Sequence, residues 1–158
     1  INSVEAAGGQ GNEAIEIGLF HANNEHQKEG ISQVILIGDA PANTAEEVTK
    51  NRLEKGEKYW GRTPFAEHTF WVDEAEKLKN YTIPVHAFYV EERARENFEE
   101  IAAMTQGRCE FLDVNSTAGA KILTNLISEV LLSNIGQQNG KGDDLVEAYR
   151  TKFVKSYS

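Results

Sequence analysis

Residues Ile35 to Thr44 read ILIGDAPANT, and with Ile31-Ser32-Gln33-Val34 ahead of them they make a run rich in β-branched residues. A continuous apolar run of this kind marks a strand covered on both faces. It ends abruptly on Gly38-Asp39, and Pro41 then breaks the chain. Thr44 and Glu47 follow at capping-box spacing, so a helix is expected over ANTAEEVTKNRLEKG, with Gly56 as its stop. A carboxylate at the end of such a strand costs little when solvated or metal-bound and a great deal when buried alone. Asp39 is therefore the first candidate site residue.

The rest of the chain repeats the alternation of strand and helix. Upstream, GGQGNEAIEIGLFHAN opens on a glycine-rich loop and turns helical, with Ile15, Leu19 and Ala22 at helical spacing. Downstream, TFWVDEAEKLKN predicts a short helix from His68 or Thr69 to Lys79, and YTIPVHAFYV a second buried strand with Pro84 near its start. EERARENFEEIAAMTQG predicts a helix with Phe98, Ile101, Ala102 and Thr105 on one face and Gly107 as its stop. RCEFLDV is a third short strand. STAGAKILTNLISEVLLSNIG is the longest helix, with Ile122, Leu126, Val130 and Leu131 along one stripe and Gly136 at its end. This places one domain over residues 1–136, a linker over 137–142 and an amphipathic helix over 143–158 capped by Asp143.

Strands alternating with helices predict an α/β fold, a Rossmann-like three-layer sandwich with a mostly parallel sheet and helices on both faces. Such sheets bind ligands at the carboxyl ends of their strands, where Asp39 stands. At 158 residues the chain is long enough to bury a sizeable core. Its net charge of -9 disfavours nucleic acid and anionic membrane surfaces as partners and suits a cationic partner or a divalent metal. No apolar run approaches the roughly 20 residues of a membrane span. The single cysteine, Cys109, excludes an internal disulfide, and with no secretory leader ahead of Ile1 a cytoplasmic protein is expected, an extracellular one being the alternative.

VILIGDAPANT, IPVHAFYV, NFEEIAAMTQG and CEFLDV, in that order, together resemble the second half of a von Willebrand factor A (vWA) domain. Gly38-Asp39-Ala40 stands where the family has Thr-Asp-Gly, Ile101 to Gly107 matches its glycine-terminated helix, and GGQGNEAIEIGL is similar to its glycine-rich loop and helix start. The resemblance covers most of residues 8 to 135. It implies a protein-binding module of adhesion or scaffold type, with a divalent cation, usually magnesium, at the top of the sheet. Oxygen ligands suit such a hard cation, and its open position takes a carboxylate from the partner. Of the family's ligand positions, Asp39 matches. The threonine of the glycine-rich loop falls around Gln10 to Asn12, where Asn12 offers a carbonyl oxygen. The Asp-x-Ser-x-Ser loop has no counterpart, and the family's first three strands are missing too. Val34 to Gly38 would then present an apolar edge, which natural folds avoid. An upstream segment or a second chain is expected to complete the sheet there.

Several residues have plainer readings. Asn12 suits a helix N-cap better than a metal ligand. Gly8, Gly9 and Gly11 precede a helix, but no P-loop lysine follows them. His86 on a strand reads as a core or half-buried histidine, and His21, His26 and His68 lack metal spacing. Cys109 reads as a small buried hydrophobe. Asn80-Tyr81-Thr82 and Asn115-Ser116-Thr117 match the glycosylation sequon, although Asn115 or Ser116 is expected to cap a helix. EKYWGRTPFAEHTFW is rich in aromatics. Phe70 and Trp71 are expected in the core, whereas Tyr59 and Trp60, with Asn43 in the loop after Asp39, are candidates for contact with a protein partner. The competing function is a Rossmann-like hydrolase or nucleotide-binding enzyme, which needs a paired acid and base, an activated nucleophile or a phosphate loop.

Overall fold

A computed structural model describes residues 11–116, 119–138 and 140–153. In chain order it contains α1 (Ile15–Glu29), β1 (Val34–Gly38), α2 (Ala45–Lys55), the short α3 (Glu57–Trp60), α4 (Trp71–Asn80), β2 (Val85–Tyr89), a 3-10 turn (Glu92–Ala94), α5 (Arg95–Thr105) and β3 (Cys109–Phe111). Two further helices follow, α6 (Gly119–Gln138) and α7 (Gly142–Phe153). The chain divides into two compact units between Phe111 and Leu112. Among the described residues, no helix is long and apolar enough to cross a membrane.

The three strands form one parallel sheet in the order β1-β2-β3, so the mixed α/β reading holds. All five residues of the central β2 are buried. Val85, Ala87 and Tyr89 join a core with Leu19 of α1, Leu78 of α4 and Phe98 of α5. His86 and Phe88 point to the opposite face, as alternation along a strand requires, and are buried there as well. β1 departs from the expectation of a strand covered on both faces. Its residues are only partly buried, and Ile37 is 44% exposed although its register partner Phe88 is fully buried. The cause is position: β1 lies at the sheet edge, and among the described residues no strand pairs with its outer side.

Local chemistry explains most boundaries. The expected capping box opens α2: Thr44 Oγ1 accepts the Glu47 N–H, and the Glu47 carboxylate accepts the Thr44 N–H. Gly56, at φ 76°, ends that helix as expected. α1 begins differently, on Ala14 rather than Asn12, with no side-chain cap. α4 starts at Trp71, not at His68 or Thr69, because Phe70 is still extended at φ -119° and ψ 140°. Trp71 packs partly against the core. α5 is closed by Gln106 in the left-handed region at φ 60°. Gly107 is needed for a different reason. A Cβ there would overlap the Val85 carbonyl, so only glycine lets the chain pass this close to β2 on its way to β3.

In the second unit α6 runs through Gly136 to Gln138, and α7 starts at Gly142 with Asp143 in its first turn rather than at the cap. Residue 139 of the expected linker lies outside the described residues. Gly136 does not stop the helix. A Cβ on it would overlap Gly142, so it permits the tight return between two packed helices. Arg150 of α7 makes a bidentate pair with Glu129 of α6 at 3.0 and 2.6 Å, and Tyr149 donates to Asn125 Oδ1 at 2.9 Å. The expected apolar stripe on α6 is split: Val130 is buried, Leu131 is 45% exposed, and Ile122's side chain is not described.

Candidate functional site

Asp39 sits where β1 ends, at the carboxyl edge of the sheet, with its side chain 46% exposed. Its neighbour is a residue that sequence reading overlooked. Arg93, in the 3-10 turn after β2, donates through Nε to the Asp39 carbonyl at 3.0 Å and through Nη2 to Asp39 Oδ2 at 3.2 Å. Its Nη1 donates to the Gly11 carbonyl at 3.0 Å, and Glu91 Oε2 lies 3.2 Å from its Nε. One guanidinium thus ties the end of the glycine-rich stretch to the loop after β1. Both partners are half exposed, so water screens the pair and its net contribution is at most about 1 kcal/mol.

The loop after β1 is held from two more sides. Asn97 of α5 accepts the Ala42 N–H on Oδ1 at 2.8 Å. Glu13 and the 41–43 segment form a short parallel bridge, with Glu13 N–H donating to Pro41 and Asn43 N–H to Glu13. Asn12 sends its side-chain Nδ2 to Glu47 Oε2 at 2.8 Å. It therefore clasps the start of α2 instead of capping α1. The Thr44 N–H, helped by the Asn12 amide and the Thr44 hydroxyl, holds the Glu47 carboxyl below the usual carboxylate range. Gly8, Gly9 and Gln10 lie outside the described residues.

As placed, the Asp39 carboxylate and the carbonyls of Asp39 and Gly11 are engaged by the Arg93 guanidinium. Magnesium asks for six near-octahedral oxygens. Among the described residues, no group of three or more His, Cys, Asp or Glu could hold a metal ion.

Beside Asp39 a cleft of about 400 Å³ runs along β1, lined by Leu36, Ile37, Gly38 and Asp39 on one side and by Glu13 to Ile15 and Phe98 on the others. The ladder shows which backbone groups of β1 face away from β2. Val34 N–H donates to Pro84, and Gly38 accepts from Val90 N–H. In a parallel strand alternate residues bond to opposite neighbours. Val34, Leu36 and Gly38 therefore serve β2, while the N–H and C=O groups of Ile35 and Ile37 point outward.

The aromatic segment forms a second feature. Trp60 Nε1 donates to the Arg52 carbonyl at 3.0 Å, and the Arg52 guanidinium lies 5.3 Å from the Trp60 ring centre. Tyr59 packs edge-on against Trp60 at 5.3 Å and is 53% exposed. Asn43 and Trp60 line the same small pocket, and Tyr59 is not among its lining residues. Arg52 itself was missed, although its spacing of four from Val48 placed a charge on the buried stripe of α2.

The remaining reactive side chains are quiet. Burial pushes the Cys109 thiol up to about 11, which keeps it protonated and a poor nucleophile at neutral pH. His86 is 8% exposed, as its strand position predicted, and its Nδ1 accepts the Arg108 N–H at 3.1 Å. Compared with family models, with curated proteins and with solved structures, the chain matches none.

Proposed function

We propose that the unit ending at Phe111 is a protein-binding module of vWA type that takes a further β-strand along the outer edge of β1. The observation that carries this reading is the half-exposed apolar strand Val34–Gly38, which turns the peptide groups of Ile35 and Ile37 away from a fully buried neighbour strand, with Ile37 lining the cleft. Strand addition supplies main-chain hydrogen bonds for affinity and side-chain pockets for selectivity. The resemblance in the order and spacing of the strands and of the glycine-terminated helix supports the same reading.

Selection of a displayed random-peptide library on the immobilised chain tests it. The expected binders are extended peptides with alternating apolar residues that shift the amide resonances of Ile35 and Ile37. Ile37→Lys places a charge on an exposed position of the edge and should abolish their binding while leaving the fold intact. Binders that map elsewhere and ignore Ile37→Lys would overturn the proposal. Magnesium is tested separately by calorimetric titration. With Arg93 on Asp39 the chain is expected to show no saturable heat. A saturable heat that Asp39→Ala removes would add a cation to the binding edge.

A further inference from the structure

The cleft beside β1 is apolar along its walls and acidic at one end. Ile15, Leu36, Ile37 and Phe98 supply the apolar lining, and Glu13 and Asp39 line it too. Asp39 directly follows the last residue of β1, and Glu13 is bridged to Ala42 in the loop just beyond. Main-chain bonds place Glu13: its N–H donates to the Pro41 carbonyl at 2.8 Å, and its carbonyl accepts the Asn43 N–H at 3.0 Å. The residue is exposed, and among the described residues its carboxylate takes part in no ion pair.

Arg93 does not neutralise this end. Its guanidinium lies 3.2 Å from the carboxylates of both Asp39 and Glu91, so with Glu13 three negative charges stand against its positive one. An edge that is apolar along its length and negative at its end complements an extended segment with a cation at the matching place. The segment ahead of α1 and a second copy of β1 both lack that cation. Residues 1–10, INSVEAAGGQ, contain no lysine or arginine. In a second copy Val34–Gly38 is flanked by Gln33 and Asp39, and the copy brings a net charge of -9 to a rim of the same sign.

Resting on the strand-addition reading, we propose that the strand taken up along β1 is an extended segment of another protein, with apolar residues beside Ile37 and a lysine or arginine at the end that reaches Asp39 and Glu13. The long stem of either basic side chain lies along the apolar lining while its charged head meets the carboxylates. Asp39 is half exposed and Glu13 exposed, so water screens both. The charge therefore sets which segments bind, and how fast they arrive, more than how tightly the edge holds them.

Three capped peptides separate the charge from the strand. They share one alternating apolar core and carry lysine, serine or glutamate at both ends, so either strand direction brings an end residue to the rim. Each is titrated into the chain at low salt and followed by the Ile35 and Ile37 amides. The lysine peptide should bind about fivefold more tightly than the serine peptide, and the glutamate peptide more weakly than both. The spread should close at about 1 M salt, where the screening length falls to about 3 Å. Glu13→Lys changes an exposed side chain, leaves the main-chain bridge in place and should remove the lysine preference. Equal binding of the three peptides, a preference unchanged by salt, or one that survives Glu13→Lys overturns the charge assignment while the strand-addition reading stands. If none of the peptides shifts Ile35 and Ile37, both are overturned. If Glu13→Lys does not fold, the salt titration of the unmodified chain decides alone.

Discussion

His86 accepts the Arg108 N–H on Nδ1, which fixes the neutral ring with its proton on Nε2. Burial, and secondarily the Arg108 charge, lower its pKa below the ordinary histidine value of about 6.5. The unfolded chain therefore binds the extra proton first as pH falls. Stability from His86 is fully present above about 6.5 and is lost as pH drops from there toward the lowered folded value. Urea midpoints should decline over that window, and His86→Gln should flatten the decline. Glu16 acts with the opposite sign. Its carboxyl is raised by burial, so the stability it contributes is lost as pH rises through the raised value. Arg52 carries a second prediction at this scale. Its side chain is 5% exposed and satisfies three consecutive carbonyls, from Phe65 to Glu67. Arg52→Met keeps the apolar stem but orphans those acceptors, and should cost about 1–3 kcal/mol by chemical denaturation.

At the scale of elements, short-range chemistry was readable and long-range chemistry was not. Thr44 and Glu47 announced their capping box because both halves lie within four residues. Thr44→Ala should cost about 1 kcal/mol of stability in thermal or urea unfolding. Gly107 was readable as punctuation, but its reason was not. The stop belongs to Gln106, and the glycine is needed because the chain passes against the β2 backbone, a contact between residues far apart in sequence. Gly107→Ala should therefore destabilise by at least the roughly 1–3 kcal/mol of an overpacked interior, and amide exchange should show β2 and β3 weakened first. Asn12 failed as a cap for a similar reason. Its amide finds a better partner in Glu47, 35 residues away. Arg93 and Asn97, which hold the Asp39 loop, sit in a helix start with no distinguishing pattern.

For the whole molecule, the β-branched runs marked the strands, and their alternation with helices marked the parallel sheet. Which strand lies at the edge is not written in periodicity, so β1 and β2 look equally buried in the sequence and differ sharply in the fold. The candidate site was legible at Asp39 because strand ends are where such sheets work. The pocket lined by Asn43 and Trp60 was not, because it is assembled from α1, α2 and the aromatic segment together. The open edge predicts a particular exchange pattern. In the chain alone, the amides of Ile35 and Ile37 should exchange with little protection while those of Val34, Leu36 and β2 exchange slowly. Equal protection along Val34–Gly38 would show that the outer side is already paired.

The parallel ladder also orders the assembly of the chain in time. Ala87 and Cys109 meet across 22 positions (109 − 87), with the 3-10 turn and α5 between them, whereas Val34 and Val85 meet across 51 (85 − 34). Closing the longer loop costs more entropy and returns its reward later, and high contact order slows folding. The docking of β1 is therefore expected to limit the refolding rate, and that strand is the one paired, among the described residues, on a single side.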